Sequence, residues 1–241
     1  MRLFLFFFIG FLGWPSWGES VPVPLSVAPV KAFVDGESVT FTTRDNWKLA
    51  ARYQKPQNDL VFILLHQVGG KKEDWIPFAT FVSKNGYGYL ALDFRGHGES
   101  LITPDNSTAT YKSFGRLGTD NEWNQMARDV DAALDFLRQN GIEEKSVAMM
   151  GAGLGANIAL KSSALRKDIP LTILLSPRIN FRDVLTVNPV RVYGERPILF
   201  VSSPEDAISF RDSQLLVTIA RQRTGESRVF FFQARKSSGT R

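Results

Sequence analysis

Six stretches of near-continuous apolar residues, at 60–65, 87–92, 146–150, 171–175, 197–201 and 227–232, mark the chain from its first quarter onward. Strands of this kind are buried on both faces, as in a parallel sheet sandwiched between helices. Between them, residues 72–85, 122–140, 154–166 and 209–223 are amphipathic. Strand and helix therefore alternate as a parallel sheet with right-handed crossovers requires. Ahead of this run, 38–43 and 47–54 alternate apolar with polar residues around Arg44-Asp45-Asn46, which predicts an antiparallel pair. Two polar, turn-rich segments, 101–121 and 177–195, break the alternation. Each emerges at the C-terminal edge of a strand, where open α/β sheets bind ligands, so both are expected as a lid or pocket wall.

The first residues have a different character. Arg2 precedes an apolar run over 3–13, then Trp14-Pro15-Ser16-Trp17-Gly18 with small residues at Ser16 and Gly18. This reads as a secretory signal peptide over 1–18, because about eleven apolar residues fall short of the ~20 that a spanning helix needs. Once it is removed, no transmembrane span is expected. Prolines at 22, 24 and 29 make 19–34 an extended linker, and 35–241 one folded domain.

The chain has 241 residues, 44% hydrophobic and 22% charged, which suits one core of ordinary size. It has no cysteine, so disulfides are excluded, and export without them points to a bacterial periplasm or secretion. The net charge of +5 gathers toward the C-terminal end, at Arg221, Arg223, Arg228, Arg235, Lys236 and Arg241. No aromatic and basic interleaving accompanies it, so no nucleic-acid partner is expected. No metal or cofactor is expected either.

The decisive motif is Gly151-Ala152-Gly153-Leu154-Gly155, where an apolar strand ends and a helix begins. A glycine-rich turn at a helix start is compatible with phosphate binding, but a dinucleotide fingerprint belongs in the first strand–helix unit and this one lies past the middle of the chain. The other reading is the G-x-S-x-G nucleophile elbow, with glycines where the sharp turn leaves no room for side chains. Its central position is Gly153. His66-Gln67-Val68-Gly69-Gly70 follows one buried strand, and Asp93-Phe94-Arg95-Gly96-His97-Gly98-Glu99-Ser100 follows the next.

In this order the motifs resemble the α/β-hydrolase superfamily. Together with Leu175-Ser176-Pro177-Arg178 and Glu195-Arg196-Pro197, they resemble its bacterial dienelactone-hydrolase-like and esterase-like branch over roughly 35–241. The resemblance implies an α/β-hydrolase fold, a mostly parallel sheet with helices on both faces. It also implies a terminal helix after the last strand; the sequence holds none, so part of one sheet face is expected to be less well covered.

By the same resemblance the triad acid falls at Asp206, with Glu205 as second choice. The triad histidine falls at Ser238, in the closing Ser238-Gly239-Thr240. Both histidines of the chain lie far earlier, His66 in the oxyanion loop and His97 in the arginine–glycine turn, and both are expected to be structural. Oxyanion donors are expected from the main-chain N–H groups of Leu154 and Val68, with Gln67 as the alternative to Val68. They suit a small carboxyl-containing ligand. With the nucleophile and base positions vacant, the expectation is a catalytically impaired homologue, a binding or scaffolding pseudoenzyme or a relic. The alternative is an active serine-type hydrolase of esters or related carboxyl compounds with another base.

Overall fold

The computed structural model describes residues 36–115, 118 and 120–235. The chain divides into two units, Met1–Lys31 and Ala32–Arg241, and every described residue belongs to the second. The expected signal peptide and linker, and Ser238, lie outside the described residues.

The strands are β1 (Glu37–Thr42), β2 (Lys48–Gln54), β3 (Val61–Leu65), β4 (Gly88–Leu92), β5 (Val147–Ala152), β6 (Leu171–Leu175), β7 (Asn180–Phe181), β8 (Val184–Leu185), β9 (Ile198–Ser202) and β10 (Val229–Gln233). The helices are α1 (Ile76–Lys84), α2 (Glu122–Gln139), α3 (Leu154–Ala164), α4 (Val187–Val192) and α5 (Ala207–Thr224). Eight strands form one sheet in the order β1-β2-β4-β3-β5-β6-β9-β10. It is antiparallel at β1-β2-β4 and parallel from β4 to β10.

That order decides which helix covers which face. The step from β3 to β4 runs one way along the sheet and every later crossover runs the other way. Right-handed connections then put α1 on one face and α2, α3 and α5 on the opposite one. The packing agrees. Ile76, Ala79 and Val82 of α1 meet Phe62, Leu64, Tyr89, Ala91 and Met150, whereas Val130, Leu134, Ile158, Leu216 and Ala220 join Ile63, Leu90, Met149 and Phe200. β3, β4 and β5 are buried along their whole length, which is why they read as unbroken apolar runs.

The segment 177–195, which breaks the strand–helix alternation of the sequence, contains the β7–β8 hairpin and α4. The hairpin turns on Arg182 and Asp183, both at positive φ (51° and 64°), held by the Asn180 side chain accepting from the Asp183 N–H at 2.8 Å. Two positive φ angles in a two-residue loop make the turn whose twist suits a hairpin, but arginine in the first position gives the sequence no hint of it. No helix among the described residues is long and apolar enough to cross a membrane.

Candidate active site

The end of β5 and the start of α3 form a sharp turn. A side chain on Gly151 would collide with the Gly155 carbonyl, and one on Gly155 with the Leu65 carbonyl, so both positions require glycine. Gly153, between them, has φ 54° and ψ −117°. Its N–H donates to the Leu175 carbonyl at 2.9 Å, and its own carbonyl accepts from Ala156 N–H at 3.1 Å to open α3. This is elbow backbone with no side chain on it. A β-carbon at Gly153 would lie 3.1 Å from the Gln67 β-carbon.

The loop after β3 is fixed by His66. Phe94 N–H donates to its Nε2 at 3.1 Å, so the ring proton sits on Nδ1 and donates to the Gln67 carbonyl at 2.7 Å. Gly70 N–H donates to the same carbonyl at 2.9 Å. In a trans peptide the N–H points opposite to the C=O, so holding the Gln67 carbonyl inward turns the Val68 N–H outward. Neither the Val68 nor the Leu154 N–H finds an acceptor among the described residues.

A cavity of about 120 Å³ lies at this point, lined by Gln67, Val68, Gly153, Ser176, Arg178, Phe181, Asp206 and Ser209. Asp206 caps α5 by accepting from Ser209 N–H at 3.2 Å, and Arg178 Nη2 approaches its carboxylate at 3.8 Å. Arg178 is itself held on three sides. Its N–H donates to Asn157 Oδ1 at 3.0 Å, its Nε to Ser209 Oγ at 3.2 Å, and its guanidinium lies 4.9 Å from the Phe181 ring. Ser176 is buried and has φ 51°, a conformation that costs a non-glycine residue about 1–3 kcal/mol.

The structure thus brings Gln67, Val68, Gly153 and Asp206 to one cavity, with Leu154 next to Gly153, while Glu205 does not line it. His66 is buried behind the loop. Arg178 and Phe181 belong to the segment 177–195, which thus supplies part of the pocket wall, and Ser176 adjoins it; the sequence assigned none of these three, nor Ser209, a role of its own in the site. No described residue of the other segment, 101–121, lines this cavity. Tyr111 of that segment stacks on His97 at 4.4 Å instead.

Burial pushes both imidazoles down from the usual 6.5 to about 4, helped at His66 by the positive Lys72 and at His97 by His66. His97 Nδ1 donates to the Arg95 carbonyl at 3.0 Å. With folded values below the unfolded one, the unfolded chain takes up protons first as pH drops. The stability held by these neutral rings is full above 6.5 and is lost between 6.5 and about 4. Proton NMR of the two rings is expected to show no titration between about pH 8 and pH 5. A midpoint near 6.5 for either ring would contradict the burial argument.

No group of His, Cys, Asp and Glu among the described residues is arranged to hold a metal ion.

Residues 56–198 match the family model described as serine aminopeptidase, S33. None of the curated proteins matches the chain. Solved structures do. An esterase of Pyrococcus furiosus superposes with a TM-score of 0.67 at 19% identity, covering 85% of this chain and 83% of its own. The esterase domain of a Rhodothermus marinus protein gives 0.61 at 18%, covering 86% and 90%. A Butyrivibrio proteoclasticus protein solved with ferulic acid bound gives 0.66 at 14%, covering 84% and 91%. At these identities the likeness is one of fold.

Proposed function

The chain belongs to the serine aminopeptidase S33 family and has the α/β-hydrolase fold, and from that premise we propose that it is an exported, catalytically impaired member that binds a small carboxylate. One observation carries the reading: the elbow backbone is kept at Gly153, with φ 54° and ψ −117°, and no nucleophile stands on it.

The supply of bases supports the same conclusion. Of the two imidazoles, His66 has both nitrogens engaged and His97 is buried against Tyr111. What the cavity keeps is suited to holding an anion: the Val68 N–H and, beside Gly153, the Leu154 N–H, neither with an acceptor among the described residues, and Arg178 in the same lining. A hydrolase needs a nucleophile and a base, whereas a carboxylate needs only donors and a positive charge. At about 120 Å³ the cavity has room for a few non-hydrogen atoms, well short of the several hundred Å³ of a drug-sized pocket.

Protein recovered from the envelope of the expressing cell is expected to lack Met1 and Arg2 by intact mass. That material should stay unlabelled by fluorophosphonate probes and bind short-chain carboxylates by calorimetry, with affinity lost in Arg178→Gln. Stoichiometric labelling of a single serine would overturn the impaired reading. Retention of Met1 and Arg2 would overturn export.

A further inference from the structure

The two edges of the sheet are unlike. β1 presents Glu37, Ser38, Thr40 and Thr42, a polar edge of the kind that resists pairing with another chain. β10, at the other end, reads Val229-Phe230-Phe231-Phe232-Gln233, with no charge and no proline, and Phe232 is 53% exposed.

Its backbone has a definite phase. Ala234 N–H donates to the Ser202 carbonyl at 3.0 Å, and in a parallel ladder alternate residues bond to the same neighbour. Positions 230 and 232 therefore bond to β9, and positions 229, 231 and 233 point their N–H and C=O groups out from the edge. The side chains alternate as well. Val229 and Phe231 pack toward α5, where Phe231 meets Phe210 at 5.8 Å, so Phe230 and Phe232 stand on the opposite face.

That opposite face is the one carrying α1, which packs over β3 and β4. Beyond it the side chains align in two apolar rows. One runs Met150, Ile173, Leu199, Phe230 and the other Ala152, Leu175, Val201, Phe232. Both rows end on β10.

We propose that β10 pairs antiparallel with β10 of a second copy of this chain, about a twofold axis through Phe231. The strand is complementary to itself. In that register Phe231 faces Phe231 of the partner copy and Val229 faces Gln233, so every outward N–H and C=O of the strand gains a partner. The same register sets Phe230 against Phe232 of the other copy on the apolar face, joining the rows Leu199–Phe230 and Phe232–Val201 across the axis. At the flanks it sets Arg228 opposite Ala234 and Arg235 opposite Ser227, so like charges do not meet. No other shift of the strands aligns the outward backbone groups and the aromatic pairs symmetrically about one residue.

Sedimentation equilibrium of the purified chain is expected to give twice the single-chain mass. Gln233→Pro removes an outward N–H at an exposed edge position and leaves the β9 ladder intact, and that bond occurs twice in the dimer. It should weaken association by ~100-fold. Phe232→Lys should likewise give monomers, and both variants should keep the parent's circular dichroism. Because the chain has no cysteine, an oxidised mixture of Phe230→Cys and Phe232→Cys proteins reports the register, and the mixed disulfide should exceed either homodisulfide. A monomeric parent at about 100 µM, undiminished dimers in both folded edge variants, or homodisulfides in excess would each overturn the proposal.

Discussion

Gly153→Ser alone is expected to leave hydrolysis of a short activated ester at the parent's level, and Ser238→His alone likewise, whereas the two together give measurable turnover. The triad works as a unit, and loss of the serine or the histidine alone costs about as much as loss of all three members, ~2 × 10⁶ in kcat. Either single repair therefore leaves nearly the whole deficit in place. The double variant would rely on the Val68 and Leu154 N–H groups for the oxyanion and on Asp206 to orient the new histidine.

Three features of the cavity limit the gain. Serine at 153 must adopt φ 54°, at a cost of about 1–3 kcal/mol in stability. Its β-carbon lands 3.1 Å from that of Gln67, so the loop that carries Val68 has to yield by a few tenths of an ångström. A misplacement of ~1 Å at a catalytic group can cost about 10²-fold. Asp206, finally, is already approached by Arg178 at 3.8 Å, and the new imidazole has to compete for that carboxylate. Adding Arg178→Gln to the double variant should raise kcat/KM, and adding Asp206→Ala should abolish it. Robust turnover by Gly153→Ser alone would mean that another base serves the site, and the impaired reading would be wrong.

The sheet was legible because buried parallel strands leave unbroken apolar runs, and each of the six runs became a strand with no end moved by more than two residues. The elbow was legible because Gly151 and Gly155 are imposed by backbone contact and by nothing else nearby. Arg178 was not. Its place in the cavity is set by Asn157 on α3, Ser209 on α5 and the Phe181 ring, three partners that come together only once the sheet is formed. Lys72 was hidden in the same way. In the sequence it is one of two lysines before a helix, but in the fold its ammonium is buried on Asp93 at 2.7 Å. A polar residue's neighbours across the sheet leave no period in the chain, whereas an apolar face does.

Asp129→Ala is expected to cost about 3–5 kcal/mol of stability, the usual result of removing one partner from a buried ion pair. Arg95, in the turn after β4, is 2% exposed and reaches Asp129 on α2 through its Nε at 2.8 Å, its Nη2 at 2.7 Å and its backbone N–H at 2.9 Å. Its outer side meets Asp45 at 2.8 and 3.1 Å and lies 5.5 Å from the Trp47 ring. One guanidinium therefore ties the helix α2 to the turns after β1 and β4. The two carboxylates differ in their surroundings. Burial pushes fully buried Asp129 up to about 6 against the attraction of Arg95, while Asp45, though burial raises it too, is held down to about 2 by Arg95, Thr43 and Arg128. A carboxyl raised above its unfolded 3.8 favours the folded state most below that value, and its contribution fades as pH climbs through about 6. At pH 7 the ionised Asp129 thus recovers only part of its desolvation. Asn, which keeps an acceptor without the charge, should therefore lose less than Ala, about 1–2 kcal/mol. Asp45→Ala, on the wetter side, should cost about 1 kcal/mol or less. Urea unfolding at pH 7 checks the order. The alanine variant's midpoint temperature should fall by on the order of 10 °C for a domain of this size. If Asp129→Ala unfolded within about 1 kcal/mol of the parent, Arg95 would not be the tie between α2 and the sheet edge that its geometry implies.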